Sequence, residues 1–124
     1  MTMTAVEYRN LGLTEHRLQV LVLEHIRQCG KSGVFAMAMA NEGKRSARTG
    51  QRMKEAGLVP GAPDLVVVLQ QQRVAWLELK NGRGRQSIEQ KGVQARLAHA
   101  GHVYGVARTL DEAITFLEEV GALR

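Results

Sequence analysis

The sequence predicts an α/β fold: a helix, three antiparallel strands, a crossover helix, a fourth strand and a closing helix. Three observations predict it. Two valine-rich apolar runs, Leu65–Leu69 and Val74–Leu79, are joined by the polar Gln70-Gln71-Gln72-Arg73, the pattern of a β-hairpin. Two segments, one near each end of the chain, carry apolar residues at helical spacing: Leu18, Leu21, Val22 and Ile26, then Ala113, Ile114, Phe116 and Leu117. Between the hairpin and the last helix, Ser87 and Gln90 form a capping-box signature, and the apolar run His102–Ala107 follows. That strand should lie parallel to Val74–Leu79, joined to it by a right-handed crossover.

The first helix is expected from Thr14 to Gln28, with Thr14 as N-cap and Cys29-Gly30 as its end. Gly33–Asn41 reads as the first strand. Phe35, Met37 and Met39 should fill the core from one face, while alanines on the other let a helix pack close. Asn41-Glu42-Gly43 is turn chemistry. Lys44–Gly57 is basic and broken by glycine, so only Gln51–Ala56 is expected to form a helical turn or two. After the hairpin comes a Gly-Arg loop, Asn81–Gln86. The helix opened by Ser87 should turn Ile88, Val93, Leu97 and Ala100 inward, and Gly101 should close it. Asp111 is expected to cap the last helix, Glu112–Val120. Both faces of the central strands are largely apolar, so helices should cover both.

The 124 residues leave room for one domain with one modest core. Hydrophobic residues make up 44% of the chain but aromatics only 4%, so that core must be aliphatic. The formal net charge of +5 favours a polyanionic partner, nucleic acid before membrane. A single cysteine, Cys29, excludes an internal disulfide and suits a reducing compartment. Met1–Asn10 lacks the basic and apolar regions of a signal peptide. No apolar run approaches the length of a membrane span. A cytoplasmic protein, bacterial or in a phage-infected cell, is expected.

Chemistry concentrates at one end of the hairpin. Asp64 opens its first run, and Glu78 and Lys80 close its second. In an antiparallel pair those ends are neighbours. Glu78 and Lys80 share a face with Trp76. Asp64 joins that face only if the loop holds an odd number of residues, or a bulge intervenes; a two-residue turn would oppose it to Leu79. Two converging acids repel unless a cation lies between them, and Mg²⁺ takes such hard oxygen ligands. With a lysine alongside, this is the equipment of metal-assisted phosphodiester hydrolysis. A salt-bridged rim, with Lys80 clamping both acids, is the alternative on the residues alone. Arg83 and Arg85 leave the same end on a glycine-bearing loop, where they could clamp phosphates. Lys44, Arg45 and Arg48 lead towards Asp64 and are either solvated or phosphate-binding. The histidines lack the companions that a zinc site needs.

The stretch Gly61-Ala62-Pro63-Asp64, an apolar run, then Glu78-Leu79-Lys80 resembles the PD-(D/E)xK nuclease superfamily, and more narrowly its VRR-NUC family. Thr14-Glu15, Asn41-Glu42-Gly43, Gly57–Pro60, Trp76-Leu77, Gly82–Arg85 and Ser87–Gln90 through Gly101 extend the match, in order, over nearly the whole chain. Ala62 stands where members often carry valine. The resemblance implies a restriction-endonuclease-like α-β-β-β-α-β core with a mixed four-stranded sheet, plus a C-terminal helix, as one domain over residues 1–124. It implies Mg²⁺ or Mn²⁺ held by Asp64 and Glu78, with help from Glu15 and the Leu79 carbonyl. Lys80 would orient or activate the water, and Gln90 would support the centre. Helix-dipole pairing alone explains Glu15, and the capping box alone explains Gln90. Single-domain members are associated with homodimers acting on branched DNA such as four-way junctions, in DNA repair. Cleavage of flaps, ends or linear duplex by the same fold, or DNA binding without catalysis, are the rival functions.

Overall fold

The computed structural model describes residues 13–39 and 47–124. Its elements are α1 (Glu15–Cys29), β1 (Phe35–Ala38), α2 (Ala47–Glu55), β2 (Leu65–Val68), β3 (Val74–Leu79), α3 (Ile88–His99), β4 (Val103–Ala107) and α4 (Leu110–Glu119). The four strands form one sheet in the order β1-β2-β3-β4. β1 and β2 pair antiparallel, as do β2 and β3, while β3 and β4 are parallel. This is the α/β architecture that the sequence predicts.

The odd-numbered residues of β2 and β3 build the core. Leu65, Val67, Ala75, Leu77 and Leu79 pack against Leu18, Val22 and Ile26 of α1 and against Ala113 and Leu117 of α4. Thr14 caps α1 by accepting from the Arg17 amide at 3.0 Å. Ala36 of β1 joins this face as a small, half-buried residue. Gly105 does the same on β4, where any Cβ would lie 2.4 Å from the ring of Phe116 on α4.

The even face is covered less completely. α3 packs over β4, at the far end of the sheet from β1. Phe35 and Met37, which the register places on this face, are therefore 50% and 48% exposed and do not fill the core as expected. Between α2, α3 and the sheet lies a cavity of about 660 Å³, lined by Met53, Leu58, Trp76, Val93 and Leu97 among others. Helical cover is thus complete on one face of the central strands and partial on the other.

Three local expectations need correction. Ile88 is 86% exposed. It lies nine residues from Leu97, about half a turn out of phase at 3.6 residues per turn, so both cannot face the sheet. Ala100 is also exposed, at the rim of the cavity. Thr109, not Asp111, caps α4, its hydroxyl accepting from Glu112 N–H at 3.1 Å; Asp111 sits in the first turn, where its charge suits the dipole. α2 runs for nine residues straight through Gly50, longer than the expected turn or two.

Gly61 decides how α3 meets the hairpin. Its φ is +85°, and a Cβ there would lie 2.4 Å from the carbonyl carbon of Glu89 and 2.6 Å from the Gln90 nitrogen. Backbone meets backbone, so neither side can yield cheaply. Gly61→Ala is expected to cost at least about 2 kcal/mol, combining left-handed strain with overpacking. Gly57→Ala, which has a positive φ but open space around it, should cost less. Urea denaturation of the two variants beside the parent checks the order; equal losses would mean that the close approach contributes nothing.

Candidate active site

The register of the hairpin brings Asp64 and Glu78 together. Leu65 pairs with Leu77, and Leu69 N–H donates to the Arg73 carbonyl at 2.9 Å, leaving Gln70, Gln71 and Gln72 as a three-residue loop. Gln71 and Gln72 take φ of 61° and 62°. One step beyond Leu65, the same register sets Asp64 opposite Glu78, on the face shared with Trp76 and Lys80. The odd loop that this placement requires is present.

The next step sets Pro63 opposite Leu79. Proline has no N–H, so the ladder cannot continue there as a normal pair. Leu79 N–H instead donates to Asp64 Oδ2 at 2.7 Å. That bond fixes the Asp64 carboxylate against β3, and Pro63 has no donor to offer the Leu79 carbonyl. The Asp64 carbonyl accepts from Met39 N–H at 2.8 Å, which ties the site to β1.

Glu78 is 0% exposed, the one charged side chain buried among the described residues. Its Oε2 accepts from Gln86 Nε2 at 3.0 Å. Its Oε1 has no hydrogen-bond partner among the described residues. Desolvation raises the pKa of this carboxyl above its ordinary range; hydrogen bonding from Gln86 and from the Tyr104 hydroxyl opposes that rise, as does the Lys80 charge, while the Asp64 charge adds to it. Burial beside Glu78 likewise pushes the Tyr104 phenol well above its usual value.

Lys80 is half-buried and follows Glu78 on the same face. Its backbone N–H donates to the Ala107 carbonyl at 3.0 Å, prolonging the β3–β4 ladder past the acids. Glu15 reaches this end of the sheet from the first turn of α1, and its Oε1 accepts from Asn81 N–H at 3.4 Å. No three His, Cys, Asp or Glu side chains among the described residues are grouped closely enough to hold a metal. Glu15 therefore reaches the Asn81 end of β3 without closing a three-acid cluster with Asp64 and Glu78. Gln90 completes the capping box, its Oε1 accepting from Ser87 N–H at 2.8 Å, while its backbone abuts Gly61.

The Gly-Arg loop is fastened at its base. Arg108, just after β4, donates to the Gly84 carbonyl and, at 3.4 Å, to the Asn81 carbonyl. Arg83 and Arg85 remain exposed on that loop, and Arg48 is exposed on α2. Lys44 and Arg45 lie outside the described residues. Sequence reasoning did not single out Gln86, Gln94, Tyr104 or Arg108. Only the position of Gln86, directly before the Ser87 N-cap at the reactive end of β3, was a signal available beforehand.

The residues fit a hard divalent cation. Asp64 and Glu78 are oxygen donors on one face, the Leu79 carbonyl is nearby, and Glu78 Oε1 is a buried oxygen in need of a partner. A buried, unpartnered carboxylate oxygen has no structural advantage in a packed protein.

No family model matches this chain, and no curated relative does. Solved structures do match, and two of them show the same fold. One, described as "VRR_NUC domain protein", superposes with a TM-score of 0.71 at 22% identity, over 87% of this chain and 88% of its own. The other, described as "VRR_NUC domain", gives a TM-score of 0.61 at 20% identity, over 84% of this chain and 94% of its own. The chain thus has an α/β fold, shared with these two structures, with two acids at one end of its own sheet. Specifically, the fold is that of a VRR-NUC domain.

An acid whose pKa is raised by folding holds a proton that the unfolded chain has already released. Stability is therefore lost as pH rises from the ordinary value of 4.5 through the higher folded value of Glu78, and the cost stays in place above it. Glu78→Gln removes that cost. Without metal, the variant should melt above the parent at neutral pH. The difference should vanish near pH 4. A lower midpoint for Glu78→Gln at pH 7, measured by calorimetry in chelator, would show that the buried charge is well compensated.

Proposed function

We propose that this protein is a Mg²⁺- or Mn²⁺-dependent DNA endonuclease of the VRR-NUC type, hydrolysing phosphodiester bonds. One observation carries the proposal. The hairpin register opposes Asp64 to a fully buried Glu78 with one unpartnered oxygen, and sets Lys80 on the same face. A module that only bound DNA would need arginines and lysines but no converging acids. The shared VRR-NUC fold supports the same conclusion.

In this function Asp64, Glu78 and the Leu79 carbonyl hold the cation, with Glu15 assisting from the rim. When bound, the cation supplies Lewis-acid activation of the phosphodiester and of the attacking water. Lys80 steadies the scissile phosphate and orients the water. Gln90 braces the start of α3 against the Asp64 turn. Arg83, Arg85 and Arg48, with Lys44 and Arg45, follow the DNA backbone and read no bases. The preferred substrate is branched DNA such as a four-way junction, cut in the course of repair by a homodimer. Such a junction has two symmetry-related strands, which a two-fold dimer matches.

Cleavage of labelled junction, flap, nicked and linear DNA, each with Mg²⁺, Mn²⁺ or chelator, tests the assignment. Asp64→Asn and Glu78→Gln should each abolish cleavage and leave binding equal or tighter, because an acid that repels phosphate is gone. Lys80→Ala should lose about 100- to 1,000-fold in single-turnover rate, the range of lost electrostatic stabilisers. Full Mg²⁺-dependent activity in both acid variants would sink the proposal.

Neutralising Arg83 and Arg85 together should weaken binding to every DNA shape alike. The slope of log affinity against log salt should flatten by about 0.9 per lost duplex phosphate contact. Affinities for a junction and a matched duplex over a salt series in chelator check this. An unchanged slope removes these arginines from the interface, and a loss confined to the junction makes their loop the reader of branch structure.

A further inference from the structure

Gln86 links three elements through one nitrogen. Its Nε2 lies 3.0 Å from Glu78 Oε2 on β3, 3.0 Å from Gln94 Oε1 on α3 and 3.5 Å from the Tyr104 hydroxyl oxygen on β4. The orientation is dictated by chemistry. An ionised carboxylate only accepts, so Gln86 must turn its NH₂ towards Glu78, and Gln94 must then present its carbonyl oxygen to the second N–H. Both amide hydrogens are used, and each fixes the other. Glu78 and Gln86 are buried or half-buried, where a bond to a charged acceptor is strong and its loss is costly.

The effect on Glu78 is asymmetric. Oε2 is held on the protein side by Gln86, while Oε1 is left without a hydrogen-bond partner among the described residues. A glutamate has three side-chain torsions, and a single directed bond at one oxygen removes most of that freedom. Gln86 also directly precedes the Ser87 N-cap and ends the loop bearing Arg83 and Arg85. The same side chain thus ties the carboxylate to the loop that carries the exposed arginines.

We propose that Gln86, oriented by Gln94, is a positioning residue that holds Glu78 with one oxygen anchored and the other presented to a divalent cation. This rests on the metal-dependent reading above. Partners behind a metal ligand typically contribute 10- to 100-fold in metal affinity.

The test is calorimetric titration of Mn²⁺ without DNA, on the parent, Gln86→Leu and Gln94→Met. Gln86→Leu keeps the volume and removes the donor. It should bind Mn²⁺ 10- to 100-fold more weakly, with Gln94→Met in between. In single-turnover cleavage, the Mn²⁺ concentration giving half the maximal rate should rise in parallel. The maximal rate at saturating Mn²⁺ should stay within about threefold of the parent, because Asp64, Glu78 and Lys80 are intact. A general structural defect would lower the maximal rate instead. Should Gln86→Leu fail to fold, Gln94→Met carries the same comparison. Unchanged Mn²⁺ affinity in a folded variant overturns the proposal while leaving the nuclease in place. A parent that neither binds Mn²⁺ nor cleaves DNA overturns both.

Discussion

The pairing register between β2 and β3 fixes core and candidate site together. Side chains alternate with a period of two, so a slip of one residue would swap the faces of an entire strand. It would turn Leu65, Val67 and Leu69 out of the core and set Asp64 opposite Leu79. The three-glutamine loop that sets the register is not an easy turn. Two non-glycine residues occupy the left-handed region, at about 1–2 kcal/mol each. Burial of the odd-numbered leucines and valines against α1 and α4 offsets that strain. The same burial that makes the fold stable therefore forces two acids to the same end of the sheet.

The site opposes the fold it belongs to. A carboxylate buried with one oxygen unpartnered costs free energy that a leucine would not. The sequence contains partial compensation: an amide from Gln86, the Tyr104 hydroxyl and the nearby Lys80 charge all favour the charged form. Pro63 adds a second local sacrifice. By ending the ladder at Leu79 it gives up a regular pair, and Leu79 N–H turns to the Asp64 side chain. Local breaks of this kind are expected where a fold accommodates function.

Much of this was legible in the sequence because it depends on local rules. Loop parity, helix caps at Thr14 and Ser87, and alternation along the strands require only neighbours in the chain. They put Glu78 and Lys80 on one face and made the place of Asp64 there depend on an odd-numbered loop, which the hairpin has. What was not legible depends on contacts between distant segments. Tyr104 meets Glu78 only through the parallel β3–β4 register, which no turn fixes. Arg108 reaches the Gly-Arg loop across 24 residues. Met37 looked like core by alternation, but its exposure is decided by where α3 comes to rest. Composition points Ile88 inward, but its helical phase opposes that, and it is exposed.

The two faces of the sheet now have separate physical duties. The odd face is closed by aliphatic side chains from α1 and α4 and contributes the stability. The even face carries the acids, the lysine and a cavity that its helices do not fill. Glu78 is wholly buried there, whereas Arg83 and Arg85 are exposed on a loop whose base Arg108 holds. In the proposed function, exposed charges would attract a polyanion from solvent, with a strength that salt reduces. A carboxylate that must compete for a cation does better out of water, where fewer solvent oxygens rival it. Attraction and chemistry thus demand opposite degrees of burial. The proposed nuclease would meet both demands within a few residues because β3 ends in the core and the loop after it turns outward.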